Sequence, residues 1–269
     1  MDAAIVQMGL VEDDTIQLDA AALELAALDH PAVDLEPYVA LLTTITEHVA
    51  ALADEAPTAS AQAAVLSAVL TREFGFSGDR DHYDDPDNAD LIRVIDRRRG
   101  MPISLAILYV AAARRVGWSA EVLNTPGHVL AQIGAPTSPV LIDPFNDGQE
   151  MSQAGLSALL AGMLGAGTVP RADHVAAMAN RDVLVRLLIN QATRAERAGN
   201  AARALVLFAR MTTIAPSNPH VWWEHARLSL MNGDVAAARA SLGAMLETTR
   251  DTATRVRIAA ALDSLAGTS

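Results

Sequence analysis

The segment ISLAILYVAAA, residues 103–113, carries no charge and offers no polar face. A helix made from it is apolar on every side, so the rest of the fold has to wrap around it. A bilayer span needs about 20 apolar residues, so a run this short reads as a buried core helix. Pro102 stands at its opening, where a first-turn proline gives up no hydrogen bond. Arg114 and Arg115 fall where the helix dipole favours positive charge, and the spacing predicts a helix from Pro102 to about Val116. Just upstream, the acidic stretch GFSGDRDHYDDPDNAD leads into LIRVIDRRR. Asp85, Asp87 or Asn88 is expected to cap a helix running through Ile95. Arg97–Arg99 are expected to sit at its negative end or pair with the acidic loop, a phosphate site being the lesser alternative.

Composition closes several routes. The chain has 269 residues, 51% of them hydrophobic but only 4% aromatic, which suits a large core of helices packed through small side chains. A net charge of −12 argues against nucleic acid or an anionic membrane surface as partner. All 20 positive charges are arginine, which removes lysine Schiff-base chemistry. There is no cysteine, hence no disulfide, no thiolate metal site and no cysteine nucleophile. The acidic loop lacks the ordered oxygen ligands and central glycine of an EF-hand. His30, His48, His82, His174, His220 and His225 show no metal-ligand spacing, so neither metal nor cofactor is expected. The acidic start MDAAIVQMGLVEDD has no basic region of the signal-peptide kind, and a cytoplasmic location is expected.

Two helical patterns precede the core run, separated at DHPAVD; in the second, Leu35, Val39, Leu42 and Thr46 are expected to share a face. A third runs through ASAQAAVLSAVLTREFG and closes on Gly75. Beyond Val116 the texture changes: SAEVLNT, HVLAQIG and PVLIDPF are short β-rich runs separated by PG and APTSP. They predict a small antiparallel sheet packed on the core helix. Helix returns after NDGQEM, and TVPRADHVAAMAN reads as a connecting segment. The fold class expected is α+β, predominantly helical, with residues 1–170 as one domain and 171–269 as a second.

The second domain carries a repeat of period 34. Ala192 recurs as Ala226, Gly199 as Gly233, Asn200 as Asp234, Ala204 as Ala238, Phe208 as Leu242 and Met211 as Met245. Leu188 is answered by Trp222, and Pro216 closes the first unit. The period and the order of small, glycine, alanine and large residues resemble the tetratricopeptide repeat, a helix–turn–helix unit. TATRVRIAAALDSLA reads as a capping helix. Trp222 falls on a core position, while Trp223, one step round the helix, is a candidate for a binding surface.

His128 and Asp143 lie 15 positions apart on neighbouring strands. If the turn centres on Ala135–Pro136 they become directly opposed partners with Cβ atoms about 5 Å apart, close enough for a hydrogen bond. A helix followed by a sheet bearing His and Asp is the layout of papain-like and transglutaminase-like folds. The block DPDNADLIRVIDRRRGMPISLAILYVAAARRVGW, with NTPGHVLAQIG and LIDPF, resembles the SirB1 family over roughly residues 15 to 250. That family has a transglutaminase-like core commonly followed by tetratricopeptide repeats. A related core occurs in certain eukaryotic F-box proteins, where it is taken to serve as a binding module. Val129 departs from the more usual phenylalanine.

The resemblance assigns the catalytic histidine to His128 and the aspartate to Asp143, and it puts Pro102 where the cysteine nucleophile would stand. Ser104 lies two residues on, turned by about 200° along a helix, and so faces away from the side position 102 presents. The resulting expectation is a pseudoenzyme: His128 and Asp143 survive as a relic clasp, and the protein binds a protein or peptide through its repeats or the relic cleft. The alternative is a hydrolase or acyltransferase in which Ser104 attacks, His128 is the base and Asp143 orients it. A purely structural subunit is a third reading.

Overall fold

The computed structural model describes residues 3–266. By packing, the chain forms two units, Ile16–Leu184 and, separately, the residues up to Thr15 together with those from Val185 onward. In chain order α1 (Ala3–Leu10) is followed by α2 (Leu18–Ala27), α3 (Glu36–Ala51) and α4 (Ala59–Ser67). A π-helical turn over Ala68–Glu73 extends α4 and ends at Gly75, whose φ of 78° reverses the chain. The paired two-residue strands β1 (Ser77–Gly78) and β2 (Arg99–Gly100) bracket α5 (Leu91–Arg97). Asp90, rather than Asp85, Asp87 or Asn88, caps α5 by accepting from the Arg93 N–H. Asp85 instead caps the short 3-10 turn Pro86–Ala89 that precedes it.

The apolar run becomes α6 (Pro102–Arg115) and is buried from Pro102 through Ala113. Helices α2, α3 and α4 pack on it, and so does the sheet. The inward face of α3 is Leu42, Ile45 and Val49, while Val39 is 51% exposed. The buried stripe follows the i, i+3, i+7 positions that touch α6 and leaves the expected Val39 outside it.

The main sheet comprises β3 (Ala120–Thr125), β4 (His128–Ile133), β5 (Val140–Asp143), β6 (Gln149–Glu150) and β7 (Ala176–Ala177). It is antiparallel throughout, in the order β6-β5-β4-β3-β7. Helix α7 (Gln153–Leu164) covers Leu123 and Leu130 with Leu156 and Leu160. The edge strand β7 falls inside the segment read from sequence as a connection.

The β4–β5 register differs from the expected one by two residues. Ile133 pairs with Val140 and Ala131 with Ile142, so continuing the ladder sets Asp143 opposite Leu130 rather than His128. The cause is the turn. Ser138 N–H donates to the Ala135 carbonyl at 3.0 Å, which makes Pro136 the second residue of a four-residue turn. Proline pre-sets the φ that position needs and is disfavoured one place later, where the expected centring had put it.

The second unit consists of α1 with α8 (Asn180–Arg197, from Val185 on), α9 (Ala201–Ile214), α10 (Pro219–Met231), α11 (Val235–Thr248) and α12 (Thr252–Ala266). The 34-residue period is visible bond by bond. Asn200 caps α9 and Asp234 caps α11. The N–H of Asn200 reaches the Ala195 carbonyl at 2.8 Å, and that of Asp234 reaches Ser229 at 2.9 Å. Gly199 and Gly233 make the turns at φ 75° and 79°. Ala192, Ala204, Ala226 and Ala238 are all buried, which lets neighbouring helices approach closely.

Two glycines with similar φ should respond differently to a methyl group. At Gly199 an added Cβ meets nothing, so Gly199→Ala should cost about 1 kcal/mol, the penalty of the left-handed backbone alone. At Gly148 (φ 70°) the Cβ would stand 2.7 Å from the Tyr109 ring, adding an overpacking cost of about 1–3 kcal/mol. Urea unfolding of the two variants should place Gly148→Ala clearly below Gly199→Ala.

Candidate functional site

The opening of α6 is where the resemblance drawn from the sequence would put a nucleophile. Met101 is the N-cap residue in extended conformation and Pro102 is the first helical residue, buried and without a reactive atom. Ser104 is fully buried, and its hydroxyl donates to the Asn88 carbonyl at 2.7 Å. The same carbonyl accepts from the Met101 N–H at 3.2 Å. Ser104 therefore hydrogen-bonds the acidic loop and not His128.

Asn88, expected from the sequence only as a candidate helix cap, has a different role here. It is fully buried and its side-chain amide donates to the His82 carbonyl at 2.7 Å. Asn88 thus ties the loop to the helix start through backbone and side chain together. Beside it, buried Asp79 accepts from the His82 N–H and from Arg97 at 2.7 Å. Burial alone would raise the Asp79 carboxyl, but those bonds, one from Asn88 and the Arg97 charge hold it below its ordinary value. Arg97 also lies 3.6 Å from Asp85, so the first of the three arginines is bound to the acidic loop. Arg98 lies over the Phe76 ring at 4.7 Å, and Arg99 reaches the Gly75 carbonyl.

His128 and Asp143 meet despite the shifted register. His128 Nε2 lies 2.9 Å from Asp143 Oδ2, with both side chains largely buried. Only the ring can donate to a carboxylate, so Nε2 carries a hydrogen. Diagonal neighbours on one face remain within reach of a long side chain, which is how the pair forms without direct opposition. Asp143 is fully engaged. Its Oδ1 accepts from the N–H groups of Phe145 and Asn146, capping the 3-10 turn Pro144–Asn146, and its Oδ2 also accepts from Asn146 Nδ2 at 2.7 Å. Burial pushes this carboxyl up, but the His128 and Asn146 hydrogen bonds and the His128 charge outweigh it, leaving Asp143 below the usual carboxylate range. The DPFN sequence, a capping aspartate followed by proline at the first turn position, carried the signal for this extra role.

Phe145 completes the surroundings. Its ring meets His128 edge-on at 6.2 Å and Tyr83 at 5.7 Å, with Arg80 over it at 6.0 Å. An added Cβ at Gly78 would stand 2.6 Å from that ring, so the glycine makes room for it. Tyr109 of α6 is buried and pairs with Thr71 at 2.7 Å; burial lifts its hydroxyl to about 12, so it stays protonated. Among the described residues no cluster of three or more His, Asp or Glu side chains is arranged to hold a metal ion. No helix of the described residues is long and apolar enough to cross a membrane. In the repeat, Trp222 and Trp223 are both half-buried against the cluster of Ala226, Ala238, Leu242, Met245 and Ile258. Trp222 is also tied to the Pro216 carbonyl at 2.8 Å.

This architecture has relatives. Residues 36–189 match the transglutaminase-like superfamily, and residues 195–262 match the tetratricopeptide repeat. The chain belongs to the transglutaminase-like superfamily, joined here to a tetratricopeptide repeat. It is 30% identical over 216 residues to the UPF0162 protein of Xylella fastidiosa (strain Temecula1), covering 79% of this chain and 76% of that one. A shorter stretch of 102 residues is 33% identical to F-box only protein 21 of Homo sapiens, covering 34% of this chain and 16% of that one. Among solved structures, the crystal structure of menin that reveals the binding site for the Mixed Lineage Leukemia protein aligns with a TM-score of 0.42. Its identity is 12%, over 90% of this chain and 68% of that one.

The pair makes a pH-dependent contribution to stability. Because the folded Asp143 carboxyl lies below its unfolded value, the contribution is present above the ordinary carboxylate range and is lost as pH falls through the folded value. Asp143→Ala removes the charge that His128 and Asn146 are built around and should cost about 3 kcal/mol at neutral pH. Urea titrations of wild type and variant at neutral pH and near pH 3 should show the gap narrowing in acid.

Proposed function

We propose that this chain is a non-catalytic, SirB1-type protein of the cytoplasm that works as a protein-binding or adaptor module. The observation that carries the reading is the start of α6. Pro102 opens the helix where the resemblance would put a nucleophile, and Ser104, two residues on, is buried and committed to the Asn88 carbonyl. For Ser104 to attack a substrate its hydrogen would have to pass to His128, which requires breaking the Asn88 bond and displacing the first turn. The His128–Asp143 pair reads on this view as a clasp that fixes the β5 end and its turn. Tetratricopeptide helices with small buried residues present surfaces suited to other polypeptides. Peptide capture falls to the repeat or to the surface around the former active site.

The rival reading, a hydrolase or acyltransferase using Ser104, His128 and Asp143, is open to direct trial. A fluorophosphonate probe should label neither wild type nor Ser104→Ala. Labelling of wild type that disappears in Ser104→Ala would overturn the proposal and establish the serine as a nucleophile.

A further inference from the structure

In the repeat, Trp223 is the wall shared by two cavities. The first, about 260 Å³, takes in His220 on the opening turn of α10, Met245 of α11 and Arg257 of α12. The second, about 220 Å³, runs past Trp223 toward Leu230 near the end of α10 and Leu265 near the end of α12. The two follow one another along the same pair of helices. Together they form a groove between α10 and α12 with α11 as floor, about 16 Å long for the 11 residue steps from Pro219 to Leu230.

The groove is apolar along its floor and cationic at one point. Arg257 is exposed and its guanidinium lies over the Trp223 ring at 5.9 Å. It makes no ion pair among the described residues, whereas Arg227 in the second cavity is held by Glu196 and Glu224. No carboxylate lines either cavity. The unit that holds the groove, Met1–Thr15 with Val185–Ser269, balances ten arginines against ten aspartates and glutamates, so the cationic character is local to Arg257. A purely apolar occupant would cover Arg257 without pairing it, and a basic one would be repelled. Two cavities in line, rather than one deep pocket, suit a segment of chain with two apolar anchors.

We infer that the groove between α10 and α12 takes a short acidic and apolar peptide segment of a partner protein. One apolar side chain sits in each cavity beside Trp223, and a carboxylate meets Arg257. This rests on the protein-binding reading above and adds to it a site and the chemistry of its ligand.

The trial uses the full chain and a phage-displayed library of random 12-residue peptides. Selected peptides should pair apolar residues with Asp or Glu. Their affinity should fall about tenfold or more in Arg257→Gln, the worth of one charge-assisted hydrogen bond. Arg257 is exposed, so circular dichroism of the variant should match wild type. In Arg257→Glu the preference should invert, with a synthetic peptide carrying Lys in place of the selected acid binding better than its parent. Peptides without carboxylates, or binding indifferent to both variants, would overturn the groove assignment while leaving a protein-binding module standing. Self-association that weakens in Arg257→Glu would give the groove to a second copy and overturn it too. A library from which nothing is enriched would remove both the groove and the adaptor reading.

Discussion

A helix with no face to water leaves its polar groups nowhere to go but inward. In α6 every residue from Pro102 to Ala113 is buried, so each donor in its first turn and each hydroxyl along it must find a partner inside the protein. Proline at the first position removes one donor outright. The Ser104 hydroxyl is satisfied by a carbonyl from the loop at Asn88, and the Met101 N–H by the same carbonyl. Tyr109 is satisfied by Thr71 on the π-turn after α4. These bonds fasten two separate stretches of chain, the Asn88 loop and the π-turn, to one rod. They also commit the Ser104 hydroxyl to a backbone carbonyl at the helix start.

The same economy shapes the sheet end. Asp143 spends one carboxylate oxygen on two backbone N–H groups and the other on His128 and Asn146. A catalytic orienter needs only to hold an imidazole. An aspartate that also caps the turn leading into Phe145 has a structural task that persists whether or not the imidazole acts as a base. The aspartate thus has a structural reason to be present, since removing it would release a turn and leave buried donors unpaired.

Where the signal was local or strictly periodic, the sequence was readable. The buried rod follows from eleven successive uncharged residues, and the repeat from six matches at one offset whose caps and turn glycines then recur bond for bond. The turning of Ser104 away from position 102 follows from helix geometry alone. What stayed hidden depended on distant partners or on a single residue of offset. Asn88 lies 16 residues from the hydroxyl it serves, and its local context suggested only a helix cap. The β4–β5 register turned on which place Pro136 takes in a four-residue turn, and centring that turn one residue too early moved every cross-strand partner by two. The two-residue strands β1, β2, β6 and β7 are too short to leave any alternation to read.

The repeat shows how a period that fixes a fold leaves room for specificity. At positions 34 apart, buried Ala192 and Ala226 or Ala204 and Ala238 are identical because the helix contacts they fill are identical. Position 189 belongs to the same series as 223 and 257, yet the three residues are Ile189, Trp223 and Arg257. One step off the buried stripe, the constraint of close packing relaxes and the side chains diverge. Successive helices then bring unlike residues side by side at equivalent heights, and the result between α10 and α12 is a cation resting on an indole. An apolar platform with a charge fixed over it arises from regular spacing combined with irregular side chains. The repeat's distinctive chemistry is therefore to be sought at the positions where the period is kept in backbone and broken in side chain.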